Sequence, residues 1–267
     1  MDNVLLSFSA LASLLPASIH LFFRSTPSRD ALFWLLLTIA VAGPLAWVLA
    51  HTSGTWNTGL GATLWVTVAV TMLIYAALTA VTRHAWRLVP LVVPYMVILG
   101  AMATMWEETP GQPLVSSSGG GPWIGLHIAT SVTTYALVTL AAVAALAAWL
   151  KERALKRKKP TTLTNLLPSV TDSEALLVNL LKVGEAILAV GLASGLALQY
   201  SETGQIFDLT HKTLLSLTAF LVIGGLLICH HWVGMRGRLI VRVVLLAYLL
   251  LTLGYPGVKF VSDVLIG

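Results

Sequence analysis

Eight apolar stretches recur from one end of this chain to the other, at about residues 4–23, 31–50, 60–81, 88–105, 123–150, 180–199, 212–232 and 239–260. Most hold about 20 residues, which as a helix rising 1.5 Å per residue cross a hydrocarbon core about 30 Å thick. Lipid offers no water to backbone N–H and C=O groups, so spans of this length are helices. Composition agrees: 57% of the 267 residues are hydrophobic and 10% charged, against roughly 25% charged in a soluble domain. The expected fold is all-α, a polytopic membrane protein with about eight transmembrane helices. Residues 1–267 form a single integral membrane domain in contact with the lipid bilayer.

The charges orient it. Arg24 and Arg29 follow the first span, and Arg83 and Arg87 follow the third. Lys151, Arg153, Lys156, Arg157, Lys158 and Lys159 follow the fifth, and Arg236, Arg238 and Arg242 separate the seventh from the eighth. With Lys182, 14 of the 16 basic residues fall on one side, leaving only Lys212 and Lys259 on the other. The positive-inside rule makes the first side cytoplasmic and puts both termini outside. The formal net charge of +5 is therefore explained by loops, and no nucleic-acid partner is expected. No Lys or Arg precedes the first segment, which reads as a retained span rather than a signal peptide. The single Cys229 excludes an internal disulfide, and the chain holds no CxxCH for covalent haem.

Local signals refine the spans. Pro16, Pro90 and Pro94 predict kinks. TDSE at 171–174 has capping-box spacing and predicts the start of the sixth span. SSSGGGP at 116–122 predicts a flexible outer loop. Gly184, Gly191 and Gly195 share a face at helical spacing and predict close helix packing. Glu185, three residues after Lys182, is expected about one turn from the inner surface, where the two residues can pair.

Seven histidines are the main supply of metal ligands. His51, His127 and His211 lie towards the outer surface, and His20, His84, His230 and His231 towards the inner one. Imidazole binds haem iron axially, and Trp56, Trp106 and Trp123 lie on the outer side. Interfacial placement is the commoner role of an isolated histidine or tryptophan at a helix end. His20, His84 and His231 are read that way, and Trp34, Trp47, Trp65, Trp86 and Trp149 as belt or packing residues. No phosphate-binding loop, HExxH or nucleophile elbow is present, so no catalytic residue is assigned and the protein is not expected to be an enzyme.

Four segments carry a family pattern. Leu126, His127 and Ile128 open a span, with Tyr135 eight residues after the histidine. GLASG at 191–195 closes the sixth span. HHWVGMRGR at 230–238 joins the last two, and Tyr255 and Gly257 end the eighth. Together, over 122–260, they resemble the CcsA-like cytochrome c assembly family, and within it the YpjD-type inner-membrane proteins. The resemblance implies a bacterial cytoplasmic (inner) membrane protein that handles haem for c-type cytochromes. It would bind b-type haem non-covalently near the outer face. Other cytochrome c assembly subunits and apocytochrome c are its implied partners.

By the same resemblance His127 matches the outer haem-ligand histidine, and His230 the one before the glycine turn. His127 and His230 lie on opposite sides, which argues against one shared iron. The outer loop at 199–213, QYSETGQIFDLTHKT, lacks the family's tryptophan-rich segment, though Asp208 and Lys212 match parts of its core. A family histidine after the last span is also missing. His211 is the local substitute ligand and His51 a remoter one. The cofactor-binding set is therefore His127, His211, His230 and Trp123, with His127 and His211 as iron ligands. The alternative is an accessory or regulatory membrane protein of haem metabolism, similar to the HemX-type branch. A small-solute transporter is disfavoured, because no pair of discontinuous helices repeats in the two halves.

Overall fold

A computed structural model describes residues 2–20, 28–52, 59–107, 121–204, 211–234 and 237–261. The described secondary structure is helical: α1 (Asp2–His20), α2 (Ala31–Thr52), α3 (Leu60–Val81), α4 (Val89–Met105), α5 (Gly121–Arg157), α6 (Thr162–Leu166), α7 (Val170–Thr203), α8 (His211–Val233), α9 (Arg238–Thr252) and α10 (Val258–Phe260). A 3-10 turn, Ala85–Leu88, leads into α4, and a π-helical turn, Leu253–Gly257, joins α9 to α10. Seven helical stretches among the described residues are long and apolar enough to cross a membrane, and α1 adds a shorter apolar stretch, Val4–His20. The protein is thus an all-helical polytopic membrane protein. Trp56, Asp208 and the serine-glycine run at 116–120 lie outside the described residues.

The spans form two four-helix rings. In the first, α1 and α3 each pack against both α2 and α4. In the second, α5 and α8 each pack against both α7 and α9. The rings meet where α5 lies against α3 and α4, and where the π turn touches α3. At this junction α5 is the most enclosed span. Ala136, Ala141, Ala144, Ala145 and Ala147 are fully buried, and short side chains let the neighbouring backbones approach closely. On the opposite edge, Leu214, Leu217, Leu221 and Ile228 of α8 are exposed, as suits a face turned to lipid.

Polar side chains tie helices together where packing alone is unspecific. Trp47 of α2 is buried and donates Nε1–H to Ser7 Oγ on α1 at 2.6 Å. Tyr75 of α3 donates its hydroxyl to the Ala85 carbonyl at 3.0 Å, anchoring the turn before α4. Tyr135 of α5 shares hydrogen bonds with Tyr248 at 3.1 Å and Thr252 at 3.3 Å on α9. Tyr248 also bonds the Tyr95 hydroxyl of α4. Trp47 and Trp65 stack with ring centroids 5.6 Å apart, so both are core residues, as expected.

Several local expectations are corrected. The fifth helix does not stop at residue 150 but runs to Arg157, and Glu152 pairs with Lys156 on it. The chain then turns back through α6, whose Thr164 carbonyl accepts from Lys151 Nζ at 2.6 Å. Ser169, not Thr171, caps α7, its Oγ accepting from the Asp172 backbone N–H at 3.1 Å. Glu174 instead accepts from the Gly237 N–H at 3.1 Å, pinning the α8–α9 turn. There Gly234 and Gly237 adopt φ of +67° and +71°, a region that suits glycine because it lacks Cβ. Pro90 sits in the first turn of α4, where its missing N–H has no intrahelical partner to lose.

Glu185 is also corrected. A Cβ on Gly224 of α8 would lie 2.9 Å from Glu185 Oε1, and no ion pair to Lys182 is formed among the described residues. Gly224 follows His211 by 13 residues and precedes Val233 by nine, about 20 Å and 14 Å along α8. The carboxyl therefore sits near mid-depth rather than one turn from the inner surface.

Candidate haem-ligand site

His127 lies in the second turn of α5, towards the outer surface, and its ring docks on α7. Its Nδ1 is 3.1 Å from the Gly191 carbonyl oxygen and 3.4 Å from Ser194 Oγ. A carbonyl only accepts, so Nδ1 carries the proton and Nε2 keeps its lone pair. Ser194 Oγ also donates to Gly191 O at 2.9 Å, completing a small polar cradle. Among the described residues, Nε2 has no hydrogen-bond partner. A metal-binding histidine ordinarily has its other ring nitrogen held this way, which sets the tautomer and the ring's direction.

The cradle depends on absent side chains. A Cβ on Gly195 would lie 3.0 Å from His127 Cε1 and 3.2 Å from Nδ1. A Cβ on Gly191 would meet Thr130 Oγ1 at 3.2 Å. Thr130 lies one turn beyond His127, and its hydroxyl donates to the Leu126 carbonyl at 2.8 Å. The GLASG segment is therefore a seat for the imidazole, and two motifs some 64 residues apart form one site. Gly184 continues the seam, facing Leu137 and Val138 at 3.6 Å.

The other proposed site residues are less closely joined. Trp123 precedes His127 by one turn and is 45% exposed. His211 begins α8 and is exposed at the same outer end. It stands on a helix that shares α7 and α9 with α5 as neighbours, whereas the His127 ring bonds Gly191 and Ser194 of α7. His230 ends α8, 19 residues and about 28 Å from His211 along the helix. No group of three or more His, Cys, Asp or Glu could hold a metal ion among the described residues.

Sequence reasoning missed a second outer histidine arrangement. His51 Nδ1 donates to the Trp47 carbonyl at 3.0 Å, and the imidazole stacks on Trp47 with centroids 3.8 Å apart. Its Nε2 faces Glu107 Oε1 at 3.7 Å, beyond hydrogen-bond length. His51 Nε2 and both Glu107 oxygens are buried without hydrogen bonds. His51 therefore faces a carboxylate inside the first ring, not the His127 cradle in the second. Glu107 follows α4 in a turn outside the hydropathy window, and nothing in the linear pattern pairs it with His51.

The model of a family described as cytochrome C assembly protein matches residues 30–266, a longer stretch than the 122–260 region carrying the motifs. A protein of Azospirillum brasilense, named as an uncharacterized 28.8 kDa protein in the nifR3-like 5' region, is 53% identical over 270 residues. That match covers 100% of this chain and 99% of the relative. Inner membrane protein YpjD of Escherichia coli K12 is 28% identical over 201 residues, 73% of each chain. No solved structure matches the chain.

Proposed function

The chain belongs to the cytochrome C assembly protein family and is a multi-pass inner-membrane protein, and from that premise we propose that it handles haem for c-type cytochromes. It binds b-type haem non-covalently near the outer face and passes it on without turning over a substrate. The observation that carries this reading is the His127 imidazole, its Nδ1–H held by Gly191 and Ser194 and its Nε2 left for iron. The cradle suits an axial ligand because it fixes the tautomer while leaving the coordinating nitrogen unpaired. His211 is the second ligand available at the outer end, and Trp123 supplies an aromatic face. His230 is too far along α8 to share that iron. Haem is the cargo, and apocytochrome c and other assembly subunits are its partners.

The test is a reduced absorption spectrum and haem content of the protein purified in mild detergent. Expected is substoichiometric b-type haem that falls several-fold in His127→Ala. A spectrum unchanged in His127→Ala overturns His127 as the ligand. Absence of haem, with normal c-type cytochromes in a deletion strain, overturns the function. A second reading, an accessory protein of haem metabolism, is favoured by one observation: no tryptophan occurs in the 199–213 segment. It predicts altered haem levels rather than lost cytochromes in that strain.

A further inference from the structure

A cavity of about 600 Å³ opens at the cytoplasmic end of the α5–α9 seam. Its walls come from two facing helical stripes. On α5, Leu146, Trp149, Arg153 and Arg157 recur at helical spacing, and on α9 so do Arg238, Arg242 and Leu245. Lys156 brings the lining cations to five, and Glu152 is the only carboxylate among them. Glu152 is already paired with Lys156. Arg153 lies over the Trp149 ring, 5.1 Å from its centroid, which holds a guanidinium at the cavity wall.

Positive-inside topology does not require this convergence. Arg29, Arg83 and Lys159 bias the same side without lining the cavity. Cations facing one another across a concave wall repel, more strongly where lipid and protein lower the dielectric. An anion removes that repulsion, and guanidinium groups match phosphate oxygens through paired N–H donors.

The cavity continues into the membrane. Leu146 and Leu245 also line a second, apolar space of about 180 Å³ that reaches Tyr95 and Tyr248. A polycationic mouth followed by an apolar throat fits an anionic amphiphile, not a free ion. No histidine lines either space, which sets them apart from the iron site.

We propose that this groove binds an anionic phospholipid of the cytoplasmic leaflet. Arg153, Arg157, Arg238 and Arg242 hold its phosphate headgroup, and an acyl chain lies along Leu146 and Leu245. Basic pockets between membrane helices recognise acidic lipids in this way. The bound lipid bridges α5, which carries His127, to α9, which carries Tyr248. The inference is independent of the haem reading and uses none of the residues assigned to it.

Native mass spectrometry of the detergent-purified chain tests it, titrating phosphatidylglycerol, phosphatidylcholine or inorganic phosphate. Phosphatidylglycerol is expected to bind, and to bind at least about tenfold more weakly in Arg238→Gln/Arg242→Gln. Arg83→Gln/Lys159→Gln, with the same loss of charge elsewhere, is expected to match the parent. Leu245→Trp keeps every charge and fills the throat, and is expected to weaken the lipid alone. Equal phosphatidylcholine binding, or equal loss in the control pair, overturns the proposal. Full displacement of lipid by millimolar inorganic phosphate assigns the mouth to free phosphate and overturns the lipid assignment.

Discussion

At the scale of single residues, Gly195 gives the sharpest test of the His127 seat. Alanine in a helix interior is favoured over glycine by about 1 kcal/mol, so Gly195→Ala should not weaken α7 through propensity. Its Cβ would nevertheless lie 3.0 Å from the imidazole, so the ring must shift by a few tenths of an ångström against its Gly191 and Ser194 partners. Haem retained after purification should fall several-fold in Gly195→Ala, with helical content by circular dichroism unchanged. Tyr135→Phe behaves differently. Tyr248 keeps its bond to Tyr95, and Thr252 keeps its bond to the Tyr248 carbonyl at 2.8 Å. No buried partner is stranded, so the expected cost is about 0.5–1.5 kcal/mol, read as a small fall in the thermal unfolding midpoint. His127 could be singled out from the linear pattern. Its partners could not, because Gly191 contributes a backbone carbonyl, which every residue has.

At the scale of elements, close packing makes some glycines costly to replace. A Cβ on Gly61 would lie 2.8 Å from three backbone atoms of the α4 end and its turn: Ala103 O, Trp106 O and Glu107 Cα. Backbone cannot rotate away as a side chain can, so Gly61→Ala should destabilise by about 1–3 kcal/mol. The check is the unfolding midpoint in detergent, with Gly225→Ala, which meets nothing within 4 Å, as the contrast. The helices themselves were legible, since hydropathy marks the part of each that lipid or core encloses. Their ends were less so. The last turns of α5 are charged and lie beyond the apolar window, yet Lys151 and the Glu152–Lys156 pair belong to a continuous helix. Ser169 outcompeted Thr171 as a cap because Ser169 holds the last extended backbone and Val170 already begins the helix, which puts Thr171 inside its first turn.

At the scale of the molecule, the charge bias makes a topology that labelling can check. In a Cys229→Ala background, Gln112→Cys should react with a membrane-impermeant maleimide on intact cells. Leu155→Cys, 64% exposed on the inner side, should react only after the membrane is opened. The reverse pattern would invert the orientation and remove His127 from the outer face. The two-ring arrangement also sets what a lesion can reach. α5 touches both rings, so a bulky substitution at Ala141, buried to 0%, should lower yield and stability more than the same change on the lipid-facing side of α8.

Sequence alone determined the membrane class and the helical spans, and it predicts their orientation and the sorting of histidines by side. These follow from transfer of apolar side chains and cations between water and lipid, a property each segment carries by itself. Only the tertiary structure decided that GLASG seats His127, that Glu185 lies at mid-depth against Gly224, and that His51 faces Glu107. It likewise decided that basic residues from two separated stretches line one groove. Each of these is a contact between helices distant in the chain, set by which faces pack and at what height. Hydropathy is nearly blind to that choice, because lipid and a neighbouring helix are equally apolar.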